Sequence, residues 1–335
     1  MAIDTSHLLM CRTDNLGDVV LTLPVAGYLK RRYPAIRISF LCRGYAAPLV
    51  RHCKAVDQVI ELEKMNNPAS DLAAAAVDTI LFFKPHRGLA VAAKKAGIAN
   101  RIGTSHRLFH WLYCNRLAHF SRVKSSLHEA QLNFALLRPL EIDHIPGLDE
   151  IPSFYEFDMP ASDAMRARLP SNQFNLILHP KSNGNGREWP MTHYTALARL
   201  LAERSDVALW ITGSKQEQEW LETNAAELLR MPNVTSVCGE LTLEELASFI
   251  NTADGLVASG TGPLHISAAL GKPTLGLFPP LRPIHPGRWA PLGENAQVLC
   301  QSNPCDACKN PATCPCMLNI TPEQVAENVL CWKKF

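Results

Sequence analysis

The stretch Ser259-Gly-Thr-Gly-Pro-Leu-His265 decides the fold of this 335-residue chain. It joins the short apolar run 255–258 to the helix-like segment 266–271. A strand, a Gly/Thr turn and a helix start form an anion site, because the unpaired N–H groups and the positive dipole end of the helix meet there. The glycines allow a phosphate to come close. This pattern predicts phosphate or nucleotide binding. Because it also occurs in many unrelated proteins, it becomes specific only together with other motifs.

Two other segments of the sequence make this prediction more specific. Thr13-Asp-Asn-Leu-Gly-Asp18 follows a predicted strand at 7–12, and His179-Pro-Lys-Ser-Asn-Gly-Asn-Gly-Arg-Glu-Trp-Pro190 follows another at 174–179. In parallel α/β sheets, ligands bind beyond the carboxyl ends of the strands. The three segments together therefore predict one ligand-binding protein with sites on several strand ends.

Strands alternate with helix-length segments along the whole chain. Val19–Tyr33 has helical spacing and ends before a proline. The other predicted strands are 36–42, 56–62, 77–83, 207–213, 234–238, 255–259 and 274–278. Such alternation is typical of parallel βαβ units. The sequence predicts two Rossmann-like doubly wound α/β domains, with ligands in a central cleft between them.

Periodicity is lost and prolines accumulate near the middle of the chain, which predicts a linker there. We expect one Rossmann-like domain over 1–150, a linker over 151–170 and a second Rossmann-like domain over 171–320. The second domain includes a Cys-rich loop at 300–316, and a C-terminal helix is expected at 321–335.

The composition is that of a globular enzyme, with 19% charged and 47% hydrophobic residues. No apolar run is long enough to span a bilayer, and the N-terminus lacks a signal-peptide pattern, so a cytoplasmic protein is expected. Residues 1–150 carry a net charge of +6 and the remainder −4. Either the first half faces an anionic partner, or the charges are merely scattered. No nucleic-acid-binding motif is present.

Asp18 is the first candidate for catalysis. It lies just past the first strand at a predicted helix start, where a carboxylate can take a proton from an acceptor hydroxyl. Alternatively, it is an acidic residue that stabilises its own helix. Asp14 is a weaker candidate, since an Asx-turn in the loop would explain it.

The segment after the strand at 174–179 offers Lys181 and Arg187 across a Gly/Asn-rich turn. These cations suit a diphosphate leaving group and stabilise its charge without a metal. Ser182 and Asn183 would donate hydrogen bonds to the same phosphates. The alternative is a solvated loop.

Gly213 and Ser214 follow another strand, and Glu217 lies near the next helix start. A carboxylate there can accept hydrogen bonds from ribose hydroxyls, which predicts a nucleoside site. Capping of the helix explains Glu217 equally well.

The segment His106-Arg-Leu-Phe-His-Trp-Leu-Tyr113, followed by Arg116, mixes basic and aromatic residues. It could contact an anionic partner of the basic first half. Alternatively, it is a partly buried helix with amphipathic side chains.

Six of the eleven cysteines lie near the C-terminus. Four of them form a CxxC and a CxC pair, the thiol spacing that a tetrahedral metal prefers: Cys305, Cys308, Cys314 and Cys316. A structural zinc or iron is one interpretation of this cluster. A cysteine-rich loop without metal is the other.

These landmarks, in this order, resemble glycosyltransferase family 9, the ADP-heptose:lipopolysaccharide heptosyltransferases. The matching pieces are Asp14-Asn-Leu-Gly-Asp-Val-Val-Leu-Thr-Leu-Pro24, Arg187-Glu-Trp-Pro190, Gly213-Ser214, Gly260-Thr-Gly-Pro-Leu-His265 and Ala268-Ala-Leu-Gly-Lys-Pro273. The resemblance spans nearly the whole chain. It implies a GT-B fold and metal-independent, inverting transfer from a nucleotide sugar, with no cofactor required for catalysis.

The resemblance also implies that the domain over 1–150 binds the acceptor and the domain over 171–320 the nucleotide-sugar donor, and it implies roles for individual residues. Asp18 falls on the position of the base, and Arg187 on the position that holds the donor phosphates. The Thr261-Gly262 turn belongs to the donor site, with His265 nearby. Gly260 stands where many members carry an acidic residue that contacts the donor sugar.

The implied reaction moves a heptose from an ADP-sugar donor to a lipopolysaccharide precursor, lipid A–Kdo, at the cytoplasmic face of the inner membrane. Gly260 leaves open a different nucleotide-sugar donor. A catalytically silent nucleotide-sugar-binding protein is the alternative outside the enzymes. A sugar-nucleotide epimerase would need further acid and base residues that the sequence does not offer.

Overall fold

The computed structural model divides into two compact units, residues 1–158 and 159–335. It describes residues 5–182, 184, 186–302 and 314–332. Each unit contains a six-stranded sheet in which all paired strands run parallel. The predicted α/β class with two doubly wound sheets is confirmed.

The strands of the first unit are β1 His7–Cys11, β2 Arg37–Cys42, β3 Gln58–Glu61, β4 Thr79–Phe82, β5 Asn100–Thr104 and β6 Arg116–Ala118. Their order in the sheet is β3-β2-β1-β4-β5-β6. The chain builds outward from β1 to β3 and then returns to place β4 beside β1. The loops that leave β1 and β4 therefore diverge, and this switch point is where open α/β sheets bind ligands.

The helices of the first unit are α1 Leu16–Val20, α2 Leu23–Arg32, α3 Ala47–Arg51, α4 Pro68–Ala74, α5 Arg87–Lys95, α6 Leu108–Tyr113 and α7 Glu129–Ala135, with short 3-10 turns at Leu62–Lys64, Arg138–Leu140 and Ile151–Phe154. The predicted single helix over 19–33 is wrong, because two helices occupy that range. Pro24 has no N–H to donate to the carbonyl of Val20, so the chain restarts as α2. Every residue of β1 is buried, as expected for a parallel strand covered on both faces.

The strands of the second unit are β7 Phe174–His179, β8 Val207–Ile211, β9 Val234–Ser236, β10 Gly255–Ser259, β11 Thr274–Phe278 and β12 Ala296–Cys300. Their order is β12-β11-β10-β7-β8-β9, so the switch point lies between β7 and β10. The strands predicted at 174–179, 255–259 and 274–278 have the observed bounds.

The helices of the second unit are α8 Asp163–Arg168, α9 Met191–Ala202, α10 Lys215–Asn224, α11 Ala226–Leu229, α12 Leu243–Thr252, α13 Gly262–Ala269, α14 Pro286–Trp289, α15 Pro315–Leu318 and α16 Pro322–Trp332. Helices α9 and α16 pack against each other, and their buried side chains form one hydrophobic core with the buried Trp189. Among the described residues, no helix is both long and apolar enough to cross a membrane.

Candidate active site

Asp18 lies in the first turn of α1, after the loop that leaves the carboxyl end of β1. Its side chain is buried, and its carboxylate accepts a hydrogen bond from the guanidinium of Arg12. Thr22 donates its hydroxyl to the Asp18 carbonyl at 2.8 Å. The helix start at a strand end is where the sequence predicted this residue, and here its carboxylate faces a buried cation.

Arg12 joins several buried polar side chains around Asp18 into one cluster. Its side chain is only 3% exposed, and Nε donates to Asp14 Oδ1 at 2.7 Å. Nη1 donates to Glu129 Oε1 at 3.1 Å and to Asn133 Oδ1 at 3.2 Å. Three carboxylates, including Asp18, therefore share one guanidinium, whose planar fork of five donors suits several acceptors at once.

The neighbouring strand end completes the cluster. Lys84, just beyond β4, places Nζ 3.6 Å from Asp14 Oδ2. Tyr45 donates its hydroxyl to the Asp14 carbonyl at 2.8 Å, and Arg122 pairs with Glu129. The cluster thus occupies the β1/β4 switch point, where ligand binding is expected.

The electrostatics of the cluster suit proton transfer. Burial raises the pKa of Asp18 to about 6, and the charges of Asp14 and Glu129 act in the same direction while Arg12 opposes them. Burial by itself would lower the pKa of Arg12, but its carboxylate partners outweigh this effect and raise it. A base whose pKa lies near the working pH is the efficient kind, since it is ionised yet takes a proton readily.

Most of this cluster is not predicted by the sequence. Arg12 lies at the end of a predicted strand, and Glu129 and Asn133 lie more than a hundred positions away along the chain. The only local signal was that Lys84 follows a predicted strand, like Asp18.

In the second unit, Lys181 and Ser182 follow β7 and meet a carboxylate. Lys181 Nζ donates to Glu188 Oε2 at 2.6 Å and lies 3.8 Å from the centre of the Trp220 ring. The Ser182 N–H donates to Glu188 Oε1 at 2.9 Å. Two of the predicted phosphate donors thus already hold an anionic group. Asn183, predicted beside them, lies outside the described residues.

Arg187 is half-buried and precedes Trp189, which fixes the segment. Trp189 is fully buried; its backbone N–H donates to Ser259 Oγ at 3.2 Å and its indole N–H to the Ile320 carbonyl at 2.8 Å. Arg187 is therefore carried on a segment anchored to the end of β10.

The same segment approaches the Gly/Thr turn after β10. A Cβ at Gly186 would lie 3.0 Å from the Gly260 carbonyl oxygen, and one at Gly260 would lie 3.0 Å from the Phe278 ring. The backbone approach at Gly186 and the ring contact at Gly260 leave little room for a side chain at either position. The Arg187 segment and the Gly260 turn therefore meet at the β7/β10 switch point.

Thr261 is the N-cap of α13, which begins at Gly262. The Thr261 hydroxyl is buried, and within the part of the chain that the structure describes it has no hydrogen-bond partner. His265 is buried one turn into the helix. A helix N-terminus with an unused buried hydroxyl is suited to an incoming anion.

Gly213, Ser214 and Glu217 lie at the end of β8, next to β7 in the sheet. The Glu217 N–H donates to Ser214 Oγ at 3.2 Å, and the Ser214 N–H donates to Glu217 Oε2 at 2.6 Å. This reciprocal pair is a capping box for α10, the alternative that the sequence left open. The nucleoside role of Glu217 stays a prediction.

The predicted metal ligands are divided. Cys314 and Cys316 are buried around the start of α15, whereas Cys305 and Cys308 lie outside the described residues. Among the residues that the structure does describe, no group of three or more His, Cys, Asp or Glu side chains could hold a metal ion. The four-cysteine site stays a prediction.

Comparison with known proteins shows which family this chain belongs to. The sequence model of glycosyltransferase family 9 (heptosyltransferase) matches residues 89–316. A Haemophilus influenzae Rd protein, named only as a glycosyltransferase, is 27% identical over 303 residues, 86% of each chain. Lipopolysaccharide heptosyltransferase 3 of Escherichia coli is 23% identical over 286 residues, 78% of this chain and 80% of that protein.

Among solved structures, ADP-heptose lipopolysaccharide heptosyltransferase II of E. coli superposes with a TM-score of 0.73 at 19% identity, covering 97% of this chain and 98% of that one. This similarity shows the GT-B fold. Because the family model covers about two thirds of the sequence, the chain belongs to glycosyltransferase family 9 and is a glycosyltransferase of the heptosyltransferase type.

Proposed function

We propose that this enzyme transfers a heptose from ADP-heptose to the lipid A–Kdo inner core of lipopolysaccharide, by an inverting displacement without a catalytic metal. The observation that carries the proposal is the buried Asp18–Arg12 cluster at the β1/β4 switch point of a family 9 chain. The donor and acceptor classes are supported by the names of the similar E. coli proteins, which include ADP-heptose and lipopolysaccharide.

Asp18 acts as the general base in this proposal. Its carboxylate takes the proton of the attacking acceptor hydroxyl, and the oxygen bonds to the anomeric carbon on the face opposite the diphosphate. The bond from the anomeric carbon to the diphosphate oxygen breaks, and ADP leaves with the electron pair. The centre passes through an oxocarbenium-like state, and its configuration inverts.

The second unit stabilises the leaving diphosphate. Arg187 and Lys181 supply positive charge, and Ser182, Thr261 and the first amides of α13 supply hydrogen bonds. Preorganised donors of this kind stabilise developing charge without the cost of reorientation. Lys181 and the Ser182 N–H both donate hydrogen bonds to the Glu188 carboxylate. To bind the diphosphate of the nucleotide sugar, they must exchange this carboxylate for phosphate oxygens.

Gly260 supports one alternative. This residue offers no carboxylate, and a Cβ at its position would lie 3.0 Å from the Phe278 ring. A different nucleotide-sugar donor would then be used by the same base and cations. A catalytically silent nucleotide-sugar-binding protein is the remaining alternative, and the complete Asp18 cluster is an argument against it.

Calorimetric titration of the purified protein with ADP, UDP, GDP, CMP and ADP-heptose tests the donor. We expect micromolar binding of ADP-heptose, tighter than that of ADP. Preference for another nucleotide would retain the transferase and reject the heptose. Binding of ADP-heptose without turnover on a lipid A–Kdo acceptor would favour the silent protein.

We also propose a structural zinc or iron at Cys305, Cys308, Cys314 and Cys316, for which thiolate ligands are suited. Its support is the pair of buried thiols at Cys314 and Cys316. Elemental analysis of the purified protein should find close to one equivalent of metal, lost in Cys314→Ser/Cys316→Ser. The proposal would be contradicted if the purified protein contained no metal and Cys314→Ser/Cys316→Ser left its melting temperature unchanged.

A further inference from the structure

The outer face of α6 exposes three large apolar side chains. Leu108 is 87% exposed, Trp111 59% and Leu112 65%. Residues three and four positions apart lie on the same side of a helix, so the three form one patch. Scattered single apolar residues on a surface are ordinary, but a contiguous cluster marks an interaction site.

The opposite face of α6 fixes this patch in place. His110 is fully buried, and its imidazole hydrogen-bonds through Nδ1 to the Thr104 carbonyl at 2.9 Å. A Cβ at Gly103 would lie 2.6 Å from the same ring, so His110 fits only against a glycine. The Trp111 indole N–H donates to the Ser105 carbonyl at 2.9 Å. The helix therefore holds its apolar patch toward solvent.

The sequence around α6 is basic. From residue 79 to residue 128 it contains nine Lys and Arg and no Asp or Glu, although two of these cations, Lys84 and Arg122, pair with Asp14 and Glu129. Exposed Arg107 immediately precedes α6, and Lys94 Nζ donates to the Leu112 carbonyl at 3.0 Å. The exposed apolar patch thus carries cations on its rim.

We propose that α6 docks this protein on an anionic lipid bilayer. Leu108, Trp111 and Leu112 enter the boundary between headgroups and acyl chains, where tryptophan is favoured, and Lys94 and Arg107 contact anionic headgroups. Stable peripheral attachment requires two signals, and this surface combines an apolar one with a basic one. A second copy of the chain is a poorer occupant, because the two basic rims would repel each other.

The inference goes beyond the proposed function, because the surface uses none of the residues assigned to the donor or to the base, and it assigns the basic and aromatic segment 106–113 to lipid headgroups in place of the sugar acceptor. Trp111 provides a direct probe, since it is the only tryptophan in residues 1–158. Vesicles of phosphatidylcholine with about a third phosphatidylglycerol, carrying brominated acyl chains, should quench its fluorescence. Trp111→Phe should still float with vesicles but lose this quenching.

Leu108→Ser/Leu112→Ser should weaken binding to the anionic vesicles by about tenfold or more, since each buried methylene contributes. Lys94→Gln/Arg107→Gln should weaken it less and reduce its salt dependence. Leu148→Ser/Leu200→Ser removes two other exposed leucines and should bind like the wild type. Melting temperatures and turnover on a soluble, deacylated acceptor check that each variant is folded and active.

Three results would overturn the inference. One is a wild-type protein that floats with no vesicle, and another is a Leu108→Ser/Leu112→Ser variant that binds as well as the wild type. A wild-type dimer that this variant converts to a monomer would instead assign the patch to a second copy. Because turnover on the soluble acceptor is measured separately, failure of docking is distinguishable from failure of the proposed function.

Discussion

The two switch points of this enzyme have the same topology and opposite construction. At β1/β4, Asp18 sits in a buried cluster in which every carboxylate meets the Arg12 guanidinium. At β7/β10, half-buried Arg187 follows Gly186, which approaches the turn that leads to the buried Thr261 hydroxyl, and half-buried Lys181 pairs with Glu188. A group that moves a proton needs a fixed, desolvated environment, whereas a diphosphate needs donors that can exchange partners. The difference fits the proposed roles, in which the first unit transfers the proton and the second binds the diphosphate.

Removing the base should give the largest effect. Asp18→Asn keeps the shape of the side chain but cannot take a proton, so kcat should fall about 10²–10⁴-fold while donor affinity stays within about twofold. The measurement is turnover with radiolabelled donor, together with calorimetric donor binding. The matched control is Asp149→Asn, an exposed aspartate of the same unit, with unchanged turnover. A near-normal rate in Asp18→Asn would remove Asp18 from the mechanism.

Removing a cation from the second unit should affect both binding and chemistry. Arg187→Ala should lower kcat/KM about 10²-fold, because one donor to the leaving diphosphate is lost. Arg199→Ala is the control, since Arg199 pairs with Glu227 on the exposed surface of α9. Steady-state kinetics over donor concentration give the comparison. If Arg187→Ala raised KM and left kcat unchanged, Arg187 would bind the donor without stabilising the departing charge.

The pH profile separates the two regions further. Because Asp18 must be ionised to accept a proton, kcat/KM should fall about tenfold per pH unit below about 6. The pKa of Asp18 is raised on folding, so the folded protein binds this proton more tightly than the unfolded chain. This group therefore stabilises the fold progressively as pH falls from about 6 to about 4, and it destabilises the fold above that window.

Melting temperatures across the same pH range check the sign. Asp18→Asn should melt at an equal or higher temperature than the wild type above pH 6, since the buried charge is gone and Arg12 keeps Asp14 and Glu129. A marked loss of stability in this variant at pH 7 would mean that the ion pair outweighs the desolvation of Asp18.

Local patterns predicted the strand ends and the residues next to them. Asp18, Lys181 and Thr261 each follow a short apolar run, and parallel strands bring such positions to one edge of a sheet. The second unit was predicted more closely, because its strands at 174–179, 255–259 and 274–278 are apolar and flanked by turns.

Other features depend on contacts that spacing does not encode. β5 contains Asn100, Arg101 and Gly103, and β6 has three residues, so neither resembles an isolated apolar strand. Glu129 reaches Arg12 across 117 positions because α7 packs beside α2. The position of Glu188 is visible in the motif, but the motif does not show that its carboxylate accepts hydrogen bonds from Lys181 and the Ser182 N–H.

Glu188 gives the smallest and most discriminating prediction. Its carboxylate occupies Lys181 Nζ and the Ser182 N–H, so a donor diphosphate must displace an anionic competitor. Glu188→Gln keeps the hydrogen-bonding shape and removes the charge, and the KM for the donor should fall about two- to fivefold with kcat nearly unchanged. Donor titration at two salt concentrations checks the charge dependence. A higher KM in Glu188→Gln would instead make Glu188 a positioning residue that holds Lys181 ready, and the second region would then be as preorganised as the first.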